Sequence, residues 1–128
     1  MELTELSEVS FPDMRRNVVS AVRALADEAY QHRVWIDRDY PDDGYYDDFE
    51  MNLHILFDDT LVLEDPAATL GTVLKSREEV DVMTILGNAL DELLTAEGSE
   101  RTDREYMASP LWGGVVHAAG AAYNLLAR

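Results

Sequence analysis

The sequence predicts an all-α fold, a single-domain bundle of about five helices over residues 1–128. Three observations lead to this prediction. The length of 128 residues is typical of one domain, and 47% of the residues are hydrophobic, which is enough to build one core. Apolar residues also recur at three- and four-residue steps along most of the chain, which is the spacing of amphipathic helices.

The first helix is predicted at about residues 12–33. Ser10 can cap this helix, and Pro12 lies in its first turn. Arg15 belongs to the polar side, together with two further arginines. The repeating apolar residues form the opposite face, which consists of Phe11, Met14, Val18, Ala21 or Val22, Leu25 and Ala29.

Start and stop signals place two further helices in the middle of the chain. An aspartate followed by a proline predicts a short helix over about 66–74. Ser76 and Glu79 have the spacing of a capping box and precede a second apolar repeat, which predicts a long helix at about 77–96. Gly98 supplies the C-terminal stop of that helix.

The last helix is predicted to open at residues 109–110, after a brief turn with capping-box spacing over 102–105. Trp112 and Tyr123 lie at helical spacing, which is more typical of a core than of a ligand site. The many glycines and alanines of this helix would let another helix approach closely. We therefore expect them to serve either the core or a homo-oligomer formed through the last helix.

Residues 49–65 can be interpreted in two ways. One is a helix through about Asp58, capped by Asp47 or Asp48 and followed by an extended linker. The other is one small hairpin at about 51–64, which would make the fold α+β. We favour the helix, because the alternation of apolar and polar residues that a strand requires is poor here.

Charge is the strongest compositional signal. The chain has 26 acidic and 10 basic residues, a net charge of −16. Such a field repels nucleic acid and anionic lipid, so we expect no partner of either kind; it attracts basic proteins and metal cations. Between Asp39 and Leu74 there is no Lys or Arg, whereas ten residues are acidic: Asp39, Asp42, Asp43, Asp47, Asp48, Glu50, Asp58, Asp59, Glu64 and Asp65.

An acidic loop is predicted at about 37–48, between two helices. Tyrosines alternate there with carboxylates; tyrosine is enriched at interface hot spots, and carboxylates pair with arginine on a partner. We therefore expect a non-enzymatic module that docks a basic protein. Its candidate partner-binding residues are Tyr40, Asp42, Asp43, Tyr45, Tyr46, Asp47, Asp48, Asp58 and Asp59.

The alternative function is a divalent-metal-binding helical protein or metalloenzyme. On a helix, Glu50, His54 and Asp58 would lie at i, i+4 and i+8 on one face, and carboxylate and imidazole groups are metal ligands. The loop also resembles a calcium-binding pattern, but Pro41 stands where a ligand is required. We expect no cofactor in the leading interpretation. The chain has neither cysteine nor a Gly-x-Ser-x-Gly elbow, so we assign no catalytic residue.

One segment resembles a known class of proteins. "LFDDTLVLEDPAATLGTVLKSREEV", residues 56–80, has an Asp-Asp pair, a proline, a glycine and a capped, Glu-bearing helix in this order. It is similar to small acidic helical bacterial proteins of uncharacterised families, including immunity-type proteins of toxin–immunity systems. The resemblance implies an immunity or regulatory protein that binds or neutralises another protein. With no cysteine and no apolar segment that reads as a membrane span, we expect a cytoplasmic location.

Overall fold

Six α-helices and no β-strand form the fold in the computed structural model, which describes residues 8–128. The predicted all-α bundle is therefore confirmed, and a helix occupies the start of the segment for which a hairpin at 51–64 was the alternative. The helices are α1 (Pro12–Ala26), α2 (Glu28–Tyr30), α3 (Phe49–Leu53), α4 (Arg77–Glu97), α5 (Asp103–Met107) and α6 (Trp112–Leu126).

Three shorter elements complete the backbone. α2 continues as a π-helix over Gln31–Ile36, and α3 continues as a π-helix over His54–Asp59. A single 3-10 turn at Pro66–Thr69 replaces the longer helix predicted at 66–74. The chain turns after it at Gly71, whose φ of 94° is readily adopted only by glycine.

Most helix boundaries read from the sequence are confirmed. The side chain of Ser76 accepts a hydrogen bond from the amide of Glu79 (3.2 Å) and caps α4. α4 ends at Gly98, whose φ is 85°. At the start of α5, Thr102 and Glu105 form a complete capping box.

The core lies between the three longest helices. α6 makes its most extensive contacts with α1 and α4. Ala119 and Ala122 are completely buried, so these small residues serve the core. Trp112 is 1% exposed, which confirms its predicted place in the core. Nowhere in residues 8–128 does a helix combine the length and the apolar character needed to cross a membrane.

The helix predicted at 12–33 is interrupted at Asp27. This residue has an extended backbone, and its side chain accepts a hydrogen bond from the amide three residues further on (3.0 Å), which makes it the N-cap of α2. The interruption leaves Ala29 exposed, although the repeat placed it on the apolar face. At the start of α1, Phe11 rather than Ser10 is the N-cap.

Gln31 satisfies the carbonyl groups that this interruption leaves free. The last carbonyls of a helix have no partner within it. Nε2 of Gln31 donates to the carbonyls of Ala24 (2.8 Å) and Leu25 (3.0 Å). Oε1 accepts a hydrogen bond from Nε1 of Trp112 (3.1 Å). This completely buried side chain therefore joins the start of the π-helix at Gln31–Ile36 to both α1 and α6.

Arg15 is buried, although the repeat placed it on the polar side of α1. Its guanidinium donates to both carboxylate oxygens of Glu79, at 2.8 Å each, and to the carbonyls of Val73 (2.9 Å) and Leu126 (3.1 Å). Glu79 also accepts a hydrogen bond from the amide of Lys75 (2.7 Å). The carboxylate that was predicted to complete a capping box instead connects α4 to α1, and Arg15 extends the connection to the end of α6.

Candidate functional site

The acidic loop is confirmed at about 37–48, and it is anchored in an aromatic cluster. It follows Trp35 and leads into Phe49, both of which are buried. These rings pack against Trp112 and against each other, and Phe49 also packs against Tyr106, with centroid separations between 4.9 and 6.2 Å. Because α5 and α6 supply two of the rings, the packing of distant helices fixes both ends of the loop.

Asp47 belongs to the interior of the protein. It is 8% exposed, and its Oδ2 accepts hydrogen bonds from the hydroxyl of Tyr30 (2.8 Å) and from Nε1 of Trp35 (2.9 Å). Its Oδ1 accepts a hydrogen bond from Nδ2 of Asn52 (2.9 Å). Asp47 was predicted to contact a partner, but the loop turns its carboxylate inward, where it satisfies the buried polar groups around it.

The three tyrosines of the loop form one cluster. The ring of Tyr40 lies 6.2 Å from that of Tyr45 and 5.9 Å from that of Tyr46. Tyr46 is 49% exposed, and its hydroxyl donates to Asp48, a bond that raises the pKa of Tyr46 to about 12. Asp48 also caps α3 by accepting from the amide of Met51 (2.7 Å), so this residue is partly committed within the protein.

The other acidic residues of this region are exposed. Asp58 and Asp59 end the π-helix that follows α3, where the helix dipole makes a carboxylate unfavourable. Within residues 8–128, no acidic side chain between positions 37 and 65 forms an ion pair with Lys or Arg. We call the exposed members the acidic surface: Asp37, Asp39, Asp42, Asp43, Glu50, Asp58, Asp59, Glu64 and Asp65.

Glu50, His54 and Asp58 meet on the exposed side of this helix. Nε2 of His54 lies 3.6 Å from Oε1 of Glu50, and Nδ1 lies 2.6 Å from Oδ2 of Asp58. The two nitrogens point away from each other, so a single cation could not contact all three side chains. No group of three or more His, Asp and Glu side chains in the described part of the chain is placed to hold a metal ion. The predicted trio is a row of i, i+4 charge contacts rather than a ligand set.

These contacts predict a pH dependence. The hydrogen bond with Asp58, assisted by Glu50, raises the pKa of His54. Protonated His54 therefore stabilises the fold below the unfolded-state pKa of about 6.5, and this contribution is lost as the pH rises through the higher folded-state pKa. We expect Asp58→Asn to lower the pKa of His54 in an NMR titration of its imidazole protons. An unchanged pKa would show that the contact does not form in solution.

Leu61 has an unusual backbone for an exposed leucine. It is 52% exposed and has a φ of 59°. It follows the C-cap residue of a helix, a position where glycine is usual. Arg38, with a φ of 57°, has the same place after the π-helix at Gln31–Ile36. A bulky residue in the left-handed region is strained, and such strain clusters at functional sites.

A cleft of about 400 Å³ lies beside the tyrosine cluster, between α1, α2 and α3. Its walls include Arg23 and Arg33, together with Tyr30 and Tyr45. Sequence reasoning missed this cleft, because its residues are spread over about a quarter of the chain and share no motif. The sequence offered only Arg23 and Arg33, ten positions apart, in a chain whose acidic residues outnumber its basic ones.

Comparison with known proteins gives one match. No curated protein and no solved structure matches the chain. One family model, described as a domain of unknown function (DUF7945), matches residues 9–128 and so spans all six helices. The resemblance of residues 56–80 to immunity-type proteins remains a prediction. By the extent of the match, the chain belongs to the DUF7945 family.

Proposed function

We propose that the protein is a non-enzymatic binding module whose acidic surface docks a basic protein. The observation that carries this proposal is the set of exposed carboxylates between 37 and 65, none of which has a Lys or Arg partner within the described residues. A field of this kind accelerates association with a positively charged surface and makes association sensitive to salt.

Apolar contacts would add to the affinity that the charged groups supply. Tyr46 and Leu61 are each about half exposed, and residues of the acidic surface flank both in the sequence. The ring of Tyr46 is already held by Tyr40 and Asp48, so less freedom is lost when a partner binds. Leu61 retains a strained backbone and an exposed side chain, a combination for which internal packing gives no reason. These two side chains are the hot-spot candidates.

Two variants of equal charge test the proposal. The first changes Asp42, Asp43, Asp58 and Asp59 to asparagine. The second removes the same charge from the α4 side of the molecule, through Asp81→Asn, Asp91→Asn, Glu92→Gln and Glu100→Gln, which are all exposed. A partner is captured with the wild-type protein from cells that naturally contain it, and its affinity for each variant is measured over a series of salt concentrations.

We expect the first variant to bind about tenfold or more weakly at low salt, since exposed ion pairs contribute about 0.2–1 kcal/mol each. The α4 variant should retain wild-type affinity, and Tyr46→Ala should weaken binding at every salt concentration. Equal losses in both charge variants would show that only net charge matters and would refute a localised docking surface. Salt-independent capture would refute the electrostatic basis of the proposal.

An immunity role is the most specific form of this function. It rests on the resemblance of residues 56–80 and on the acidic surface, which would cover a basic toxin domain. In that case the captured partner is toxic when expressed alone, and co-expression of the wild-type protein restores growth. A non-toxic basic partner would indicate a regulatory role instead.

A further inference from the structure

We propose that the cleft between α1, α2 and α3 binds a small planar anion, a ring that carries a carboxylate or phosphate group. This site uses positive groups rather than the acidic surface, and of the two hot-spot candidates for docking only Tyr46 lines it. Its volume of about 400 Å³ lies within the range of about 300–1,000 Å³ typical of small-molecule sites.

The cleft is lined by two arginines and two aspartates, and of these four only the arginine side chains lack a hydrogen-bond or ion-pair partner among the described residues. Neither Arg23 nor Arg33 forms an ion pair or a side-chain hydrogen bond with any residue in 8–128. The two carboxylates of the cleft are engaged internally: Asp47 accepts three hydrogen bonds, and Asp27 caps α2. Two guanidinium groups are therefore available for an anion, and arginine binds carboxylate and phosphate through paired hydrogen bonds.

The tyrosines of the cleft have a fixed hydrogen-bond direction. The hydroxyl of Tyr30 donates to Asp47, so in its 2.5 Å contact with the hydroxyl of Tyr45 the donor must be Tyr45. Both hydroxyl hydrogens are therefore used in the chain of hydrogen bonds that runs from Tyr45 through Tyr30 to the carboxylate of Asp47. Burial, followed by these bonds, raises the pKa of the Tyr30 hydroxyl. The two residues offer the cleft only ring faces and oxygen lone pairs.

This set of groups selects the ligand class. An anionic substituent would bind Arg23 and Arg33, a flat ring would stack on the ring of Tyr45, and an N–H or O–H group on the ligand would donate to the hydroxyl oxygen of Tyr45. A cationic ligand fits poorly. It would meet two guanidinium groups, and Arg33 already lies 5.8 Å from the ring centre of Tyr30, where a bound cation would make its cation–π contact.

The test uses defined probes with the whole protein. Adenosine 5′-monophosphate represents a ring that carries a phosphate, and 4-aminobenzoate represents a ring that carries a carboxylate. Adenosine and inorganic phosphate, the two halves of adenosine 5′-monophosphate, are the controls. Calorimetry and two-dimensional NMR should show saturable binding of at least one ring anion, with shifted amide signals at Tyr45, Tyr46 and Ile55. The halves should bind at least about tenfold more weakly, because each lacks one set of contacts.

Matched variants assign the binding to the cleft. Arg23→Gln and Arg33→Gln should each weaken binding about tenfold or more, whereas Arg16→Gln, on the exposed side of α1, should leave it unchanged. Absence of saturable binding, shifts confined to other surfaces, or an equal loss with Arg16→Gln would overturn the proposal. The arginine variants make the protein more acidic and should not weaken docking of a basic protein, so failure of one proposal leaves the other standing.

Discussion

Replacing Glu79 with alanine should lower the free energy of unfolding by about 3–5 kcal/mol, the usual cost of breaking a buried ion pair. The change leaves the guanidinium of Arg15 buried without its carboxylate and removes the acceptor of the Lys75 amide. Small domains are stable by only about 5–15 kcal/mol, so this variant should be close to unfolding in water. Urea denaturation followed by circular dichroism measures the difference.

Glu78→Ala is the matched control. Glu78 occupies the same first turn of α4 but is exposed, so its removal should cost only its interaction with the helix dipole, about 0.3–1 kcal/mol. Combining Glu79→Ala with Arg15→Ala should cost less than the sum of the single changes, because either one already breaks the pair. Similar losses for the two glutamates would show that the buried pair contributes no special stability.

Replacing Asp47 with alanine should destabilise the protein by about 3 kcal/mol or more. The indole N–H of Trp35, the hydroxyl of Tyr30 and the amide of Asn52 would lose their common acceptor. Each buried donor without a partner costs about 1–3 kcal/mol. Since Trp35 contacts the lost carboxylate, its fluorescence reports both the unfolding midpoint and any change in the native environment.

Two further variants separate burial from charge. Asp43→Ala removes an exposed carboxylate from the same loop and should change stability by no more than about 0.5 kcal/mol. Asp47→Asn keeps the shape and one acceptor oxygen, so its cost should lie between those of the two alanine variants. An Asp47→Ala protein as stable as Asp43→Ala would mean that water replaces the carboxylate.

Local signals predicted the helices well. The capping residues Ser76 and Thr102 and the stop at Gly98 depend on hydrogen bonds and backbone angles within a few residues, so they could be read directly. The interruption at Asp27 was missed, although aspartate is a common N-cap, because the apolar repeat continues past it. Its stability depends on Gln31, which reaches back to α1 and across to α6.

The residues of the candidate functional site were harder to predict. Asp42, Asp43 and Asp47 are equivalent in the sequence, yet only Asp47 is buried. The difference comes from the position of Trp35, Tyr30 and Asn52, which a linear pattern does not contain. The row of His54 and its two carboxylates was predicted because helical spacing alone brings those side chains together, but their orientation around the ring excludes a shared cation.

The sequence by itself determined the fold class, most helix ends and the acidic, lysine- and arginine-free segment after Asp39, because each depends on composition or on contacts within one or two helical turns. Tertiary structure alone decided which charges are buried. Arg15 forms an ion pair with Glu79, which lies 64 positions further along the chain. The same packing turned Asp47 inward and placed Arg23 and Arg33 around one cleft. The physical reason is that a charge is buried only where distant parts of the chain supply its partners.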